Sequence, residues 1–297
     1  MSGLPWLDAE RIAALMSMRD AVDVIETALV AGLDTSADPA RVVVPVAHGQ
    51  LLLMPSQSLD AVGVKLASVA PGNAALGLPR IQAVYVLFDP VRLTPIALLD
   101  GVALTSLRTP AMSAVAVRHL APAGAGRLVV FGSGPQAAGH VEAVRAVRDV
   151  RDVVIVGRDQ DRAAALASAV GGRVGSVADV ARADIVVCAT SASEALFDGA
   201  LVGDGACVIA VGSHEPHVRE LDEALMHRAN VVVEDVGAAL REAGDVILAG
   251  LGADRLTPIS DVVNGRVAFA DHAPRVFKSV GMAWQDLAVA AEIVRRA

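Results

Sequence analysis

The sequence predicts an α/β protein: a doubly wound parallel sheet joined to a second domain of mixed α+β character. Three observations carry this reading. After residue 126, short apolar runs alternate with stretches of helical period, the rhythm of parallel βαβ units. The first of those runs ends on a glycine-rich turn that opens a helix. Hydrophobic residues make up 54% of the 297 residues and mean hydropathy is +0.52, which suits strands buried on both faces.

Taken in order, the chain opens at helical period with Ile12, Leu15 and Met16, then Ala21, Val24, Ile25, Ala28 and Leu29 after a polar break. From about residue 40 the pattern becomes strand-like: Val42–Val46, Leu51–Met54, Val62–Val69, Ile81–Phe88 and Pro95–Leu99. Thr109 reads as an N-cap and Pro110 as a first helical residue, so a helix is expected over Ala111–Leu120. A Pro/Gly-rich hinge, Ala121–Gly126, leads into strands expected at 127–132, 152–157, 184–189, 206–211 and 230–235. Helices are expected near 135–148, 161–170, 220–229 and 237–248, and a last one over Ala283–Arg296. The domain limits follow: 123–269 for the parallel sheet, and 1–122 with 270–297 for the α+β domain.

Composition excludes several classes. A net charge of −8, a pI near 5.3 and no basic patch argue against nucleic acid or an anionic membrane as partner. The longest uncharged stretch, residues 42–59, is broken by Pro45, His48, Gly49 and Pro55, and falls short of the roughly 20 mainly apolar residues of a membrane span. The first residues carry no signal-peptide pattern. Cys188 and Cys207 each lie in an apolar run and read as buried thiols of a reducing, cytoplasmic compartment. The histidines lack ligand spacing, so no metal is expected.

Arg127–Phe131 is followed by Gly132-Ser-Gly134-Pro-Gln136 and then Ala137. Gly132 permits the tight turn, Gly134 lets backbone approach a pyrophosphate at a helix N-terminus, and Pro135 fits the first helical position. Placed after a strand and before a helix, this marks a Rossmann dinucleotide-binding domain. The second strand ends in Gly157-Arg158-Asp159, with Arg162 one turn on. Glycine plus arginine there suits the 2′-phosphate of NADP. Asp159 as a ribose acceptor, and hence NAD, is the other reading.

On the expected substrate side, period two puts Lys65 on the β-strand face that also carries Gly63 and Ala67. Open space beside its ammonium suits a ligand, whereas an edge-strand lysine facing solvent is the plain alternative. Arg108, next to the expected helix start, suits a carboxylate or phosphate, a surface cation being the plain alternative. On pattern alone Arg41 is a surface cation, while Asp222 is either a first-turn carboxylate or, following the strand that ends at Gly212, a residue of the ligand crevice.

Several segments together resemble the ornithine cyclodeaminase/μ-crystallin family, which includes alanine dehydrogenases and cyclic-imine reductases. They are Leu53-Met-Pro55, Gly63-Val-Lys-Leu-Ala-Ser-Val-Ala-Pro-Gly-Asn73, Leu99-Asp-Gly-Val-Ala-Leu-Thr-Ser-Leu-Arg-Thr109, Gly132–Gln136, Ala183-Asp-Ile-Val-Val-Cys-Ala-Thr190, Arg219-Glu-Leu-Asp222 and Phe277-Lys-Ser-Val-Gly-Met-Ala283. The resemblance implies a homodimer joined through the first domain, which would also bind substrate. It implies that Lys65, Arg108 and Arg41 hold a substrate carboxylate, with Lys65 and Asp222 catalytic and Asp222 the acid/base. It further implies that Thr109, Gly132, Gly134, Pro135, Gln136, Arg158 and Thr190 contact the dinucleotide, and that Ser279, Val280 and Gly281 meet its nicotinamide.

Two positions depart from the family pattern. Leu52 stands where ornithine cyclodeaminases carry an acidic residue for the distal amine, and a buried ammonium without a carboxylate is costly. Pro110 stands where a small residue is usual. The expected function is hydride transfer between NAD(P) and the α-carbon of a small amino acid or its imine. An ammonia-lyase that recycles NAD, and a non-enzymatic NADPH-binding protein, are the alternatives.

Overall fold

The computed structural model describes residues 3–269 and 272–297; the expected domain limits at residues 1 and 270 fall outside them. The chain divides into two compact units. One comprises the N-terminal residues to Ala28, Asp34–Thr109 and Met282–Ala297; the other comprises Leu29–Leu33 and Pro110–Gly281.

The first unit is built on a six-stranded sheet. Its strands are β1 (Trp6–Leu7), β2 (Val42–Val46), β3 (Gly49–Gln57), β4 (Val62–Val69), β5 (Ile81–Phe88) and β6 (Pro95–Asp100), in the order β1-β6-β5-β4-β3-β2. All pairings are antiparallel except β1 with β6. Helices α1 (Ala9–Leu15) and α2 (Met18–Val30) precede β2, and α3 (Gly101–Leu120) follows β6. The chain's last helix, Ala283–Arg296, packs on β3, β4 and β5. On β4 the usual amphipathic logic is inverted. Gly63, Lys65, Ala67 and Val69 are buried, while Val62 and Val64 are half-buried and Leu66 is exposed.

The second unit holds an eight-stranded, wholly parallel sheet. It contains β7 (Arg127–Phe131), β8 (Asp152–Val156), β9 (Arg173–Val174), β10 (Ile185–Cys188), β11 (Cys207–Ala210), β12 (Asn230–Val233), β13 (Leu256–Pro258) and β14 (Arg275–Lys278). The order β13-β12-β14-β11-β10-β7-β8-β9 places β8 and β9 on one side of β7 and the later strands on the other. This is a doubly wound Rossmann sheet, with its switch point between β7 and β10. Its helices are α4 (Pro135–Val147), α5 (Gln160–Ala169), α6 (Glu223–Arg228), α7 (Val236–Glu242), α8 (Gly244–Leu248) and α9 (Ile259–Val263); the last helix of the chain is then α10 (Ala283–Arg296).

Three expectations need correction. The helix expected from Pro110 starts nine residues earlier, at Gly101, where the Asp100 carboxylate accepts the N–H groups of Val102 and Ala103. Thr109 is therefore no cap, and Pro110 sits inside the helix, held there by burial on all sides. The helix expected at 237–248 is broken, because Gly244 lies against the backbone of Glu215 and Val218 too closely for any side chain. The unit limits also differ from 122 and 270. The C-terminal half of α3 belongs to the second unit, where Arg148 donates to the carbonyls of Val117, Arg118 and Ala121. Strand β14 lies between β11 and β12, so the first unit resumes only at Met282.

Candidate active site

In the second unit, β7 delivers the chain into the glycine turn. Gly132 adopts φ +120°, and a Cβ there would lie 2.5 Å from the Ala189 carbonyl oxygen, so only glycine fits between the ends of β7 and β10. Ala137 is fully buried and small, so α4 packs close to the turn. Gly134 is the N-cap of α4, with Pro135 behind it, and nothing lies within 4 Å of where its Cβ would be. That open approach to free helix N–H groups is what a pyrophosphate requires. Gln136 presents a buried Oε1 with no hydrogen-bond partner among the described residues. The donor set and the open turn fit a dinucleotide.

A cleft of about 650 Å³ runs beside the turn. It is lined by Gly132 and Gly134, by Arg158, Asp159 and Arg162 after β8, and by Thr190 after β10, among others. Asp159 commits one carboxylate oxygen to the N-terminus of α5, accepting from the Arg162 N–H at 3.0 Å. Pro135 and Gln136 open α4 without lining this cleft.

A buried polar network ties the neighbouring strand ends together. Glu220 accepts the Thr190 N–H and hydroxyl on one oxygen (2.8 and 2.7 Å) and the Gly212 N–H on the other (2.8 Å). Burial raises the Glu220 carboxyl above its ordinary value, opposed by the charge of Lys278. Asp245 accepts the Glu220 and Leu221 N–H groups and pairs with Lys278 at 2.9 Å, while Lys278 also donates to the Ser213 carbonyl. Asp222 is held by backbone: one oxygen accepts from Leu225 as the N-cap of α6, the other from Gly199 at 2.7 Å. The Ser279 hydroxyl and the Val280 and Gly281 N–H groups all donate to the buried Glu234 carboxylate at 2.9 Å. Those three residues do not line the cleft.

In the first unit, Lys65 is neither exposed nor on an edge. It lies in β4 between β3 and β5 and is 3% exposed. Its ammonium donates to Asp286 of α10 at 2.6 Å and reaches Thr105 of α3 at 3.4 Å. Arg108, three residues further along α3, donates through Nε to the other Asp286 oxygen at 3.3 Å and through Nη1 to the Gln285 side chain at 2.8 Å. Its Nη2 makes no protein hydrogen bond among the described residues. Burial, with help from Arg108 and Arg41, pushes the Lys65 ammonium down from 10.5 to about 8, against the pull of Asp286. Lys65, Arg108 and Arg41 thus form one electrostatic group, while Thr109 is the next residue of α3. Beside Lys65 on the same buried face, Leu52, Ala67 and Val69 form an apolar cluster with Ala83 against it.

Sequence reasoning missed Asp286, Gln285, Glu220, Glu234 and the Lys278–Asp245 pair. A signal existed for Asp286. In α10 it occupies the buried stripe with Ala283, Leu287, Ala290 and Ile293, where a carboxylate needs a partner.

A glycine turn at the switch point of a parallel sheet, beside a cleft of this size, defines a dinucleotide-dependent protein. The chain belongs to the ornithine cyclodeaminase/mu-crystallin family, which matches residues 6–297. It is 39% identical over 264 residues to the ketimine reductase mu-crystallin of Rattus norvegicus, covering 86% of this chain and 83% of that one. Among solved structures it matches the Thermococcus litoralis Delta(1)-pyrroline-2-carboxylate reductase in complex with NADH and L-proline. That likeness has a TM-score of 0.92 at 27% identity, covering 99% and 97% of the two chains. An archaeal alanine dehydrogenase dimer with bound NAD gives a TM-score of 0.93 at 28% identity, covering 99% and 95%. With such relatives the chain is an NAD(P)-dependent oxidoreductase of amino or imino acids.

Proposed function

We propose that the chain reduces a small, carboxylate-bearing imine with an apolar side chain or ring, or oxidises the corresponding amino acid. The observation that carries this reading is the cationic group of buried Lys65 and Arg108 with half-buried Arg41, set beside the apolar cluster of Leu52, Ala67 and Val69. Arg108 offers its unengaged Nη2, and Lys65 its ammonium, to the substrate carboxylate, fixing the α-carbon by orientation. An apolar cluster strips water from the rest of the molecule, and Leu52 leaves no carboxylate for a second amine. That argues against an ammonia-lyase acting on ornithine. Asp222 is the candidate for moving the amine proton, since each of its oxygens keeps a lone pair beyond the N–H it accepts.

The first unit is the substrate-binding and dimerisation domain of this reading, and the second holds the cofactor. Gly132, Gly134, Pro135, Gln136, Arg158 and Thr190 would hold a dinucleotide, whose nicotinamide supplies or accepts the hydride. Ser279–Gly281 would present carbonyl groups to it, their donors being committed to Glu234. Arg158 and Arg162 on the cleft wall, with Asp159 partly committed to α5, favour NADP over NAD. Edge strand β2 exposes Val42, Val43, Val44 and Val46, an apolar surface suited to a second copy of the chain. The buried free thiols Cys188 and Cys207 suit a reducing, cytoplasmic setting. Among the described residues no helix is long and apolar enough to cross a membrane.

Purified protein is expected to consume NADPH, followed by its absorbance, with Delta(1)-pyrroline-2-carboxylate or a related cyclic imino acid, and faster than with NADH. Binding of NADPH without turnover of any imino acid, amino acid or 2-oxo acid with amine would sink the enzymatic reading and leave a binding protein.

A further inference from the structure

The chain contains two lysines, Lys65 and Lys278, and both are buried against an aspartate. Around Lys65 positive charge is concentrated. From α3 it faces Arg108, from the segment before β2 it feels Arg41, and from α10 it meets Asp286. Tyr85 of β5, its cross-strand neighbour, is neutral, because burial and the charges of Asp286 and Asp38 push its hydroxyl up. Asp286 is thus the carboxylate that directly opposes Lys65 and Arg108, and it is wholly buried. Its two oxygens are divided, one to Lys65 and one to Arg108, so a single planar group sets the distance and angle between the two cations. Gln285, the residue before it, takes Arg108 Nη1 and completes the alignment.

We propose that Asp286 is a positioning residue for the reaction: it holds Lys65 charged and locks Lys65 and Arg108 into one two-pronged receptor for the substrate carboxylate. This rests on the proposed function for what the receptor binds, but the charge on Lys65 can be read without any substrate. Two cations forced together in a desolvated site repel, and the cheapest relief is loss of the lysine proton. A carboxylate bridging them opposes that loss. It also fixes which edge of the guanidinium remains for ligand, since Nε and Nη1 are taken and Nη2 is left.

With two lysines in the chain, protein labelled with ¹³C at lysine Cε gives two side-chain signals to titrate, and Lys65→Met assigns them. In the wild type the Lys65 signal is expected to change near pH 8. In Asp286→Asn its midpoint should fall by at least roughly one pH unit while the Lys278 signal holds still. KM for the imino acid should rise about tenfold or more at neutral pH, with NADPH affinity in the second unit unchanged. A folded Asp286→Asn protein whose Lys65 midpoint stays at the wild-type value overturns the proposal. Should that variant not fold, Asp286→Glu keeps the charge one methylene further out: the Lys65 midpoint should hold and KM should rise, and an unchanged KM overturns it. Absence of turnover by the wild type with every imino acid would refute the function, while the titration of Lys65 would still decide the role of Asp286.

Discussion

Lys65 and Lys278 are both sequestered from water beside an aspartate, yet their surroundings differ in sign. Lys278 sits among carboxylates: Asp245 pairs with it at 2.9 Å, Glu220 feels its charge, and the Ser213 carbonyl takes another of its protons. Lys65 sits among cations, with Asp286 set directly against both it and Arg108 while Arg41 adds to the positive field. The first arrangement surrounds its lysine with counter-charge and ties the end of β14 and the turn after β11 to α8 and to the segment before α6, which is how a buried pair serves architecture. The second is short of negative charge. A protein that retains an excess of buried positive charge pays for it in stability, and a carboxylate ligand is the partner that would make it good.

Breaking each pair should expose the difference, and this is the largest effect expected. Lys278→Met strands Asp245 and Glu220 in the core without a counter-charge and should cost about 3–5 kcal/mol of stability. Lys65→Met should behave in the opposite way. The fall of its ammonium from 10.5 to about 8 corresponds to about 3–4 kcal/mol of strain in keeping it charged, at about 1.4 kcal/mol per unit. Asp286 also keeps Arg108 as a partner. Thermal or denaturant unfolding should therefore find Lys65→Met as stable as the wild type or more so, while it no longer binds the imino acid. A collapse of both variants alike would show that the two pairs are equivalent after all.

This difference was half visible in the sequence. The strands β2, β4 and β5 could be read to the residue, because β-branched runs bounded by Gly, Pro and Asp leave little freedom. The glycine turn was legible for the same local reason. The partner of Lys65 was not: Asp286 lies 221 residues away, and no pattern on β4 announces it. Nor was the start of α3 legible, since Thr109-Pro110 is a good local helix start that burial along a 20-residue helix overrides. Asp222 carries two readings at once. The resemblance made it a proton carrier, while the structure also gives it a cap on α6 and a tether to Gly199, jobs that a short capping residue does anywhere.

Alkaline pH sharpens the comparison at intermediate cost. As pH rises through about 8 the Lys65 ammonium is lost, so kcat/KM for a carboxylate substrate should decline there. Stability should move the other way. Above about 8 the folded protein has released a proton that the unfolded chain keeps until about 10.5, so this group adds stability as pH rises across that window. Cys188, Cys207 and Tyr85, all pushed up by burial, act in the opposite sense at higher pH. The difference between wild type and Lys65→Met cancels them. The unfolding free energy of the wild type should gain on that of Lys65→Met from about pH 8 upward; parallel curves would mean that Lys65 does not titrate there.

The smallest effect concerns Thr105, the other side chain that Lys65 reaches. At 3.4 Å this contact is long, and the Thr105 hydroxyl is already committed as a donor to the Gly101 carbonyl at 2.7 Å. Thr105→Val keeps the shape and removes the oxygen. If Asp286 alone governs the ammonium, the loss is at the weak end of a neutral hydrogen bond, about 0.5 kcal/mol, and KM should change by about twofold. A rise as large as that of Asp286→Asn would mean that α3 positions Lys65 as much as α10 does. The receptor would then depend on the α3 start at Gly101 that the sequence concealed, and the carboxylate of α10 would be one of two supports.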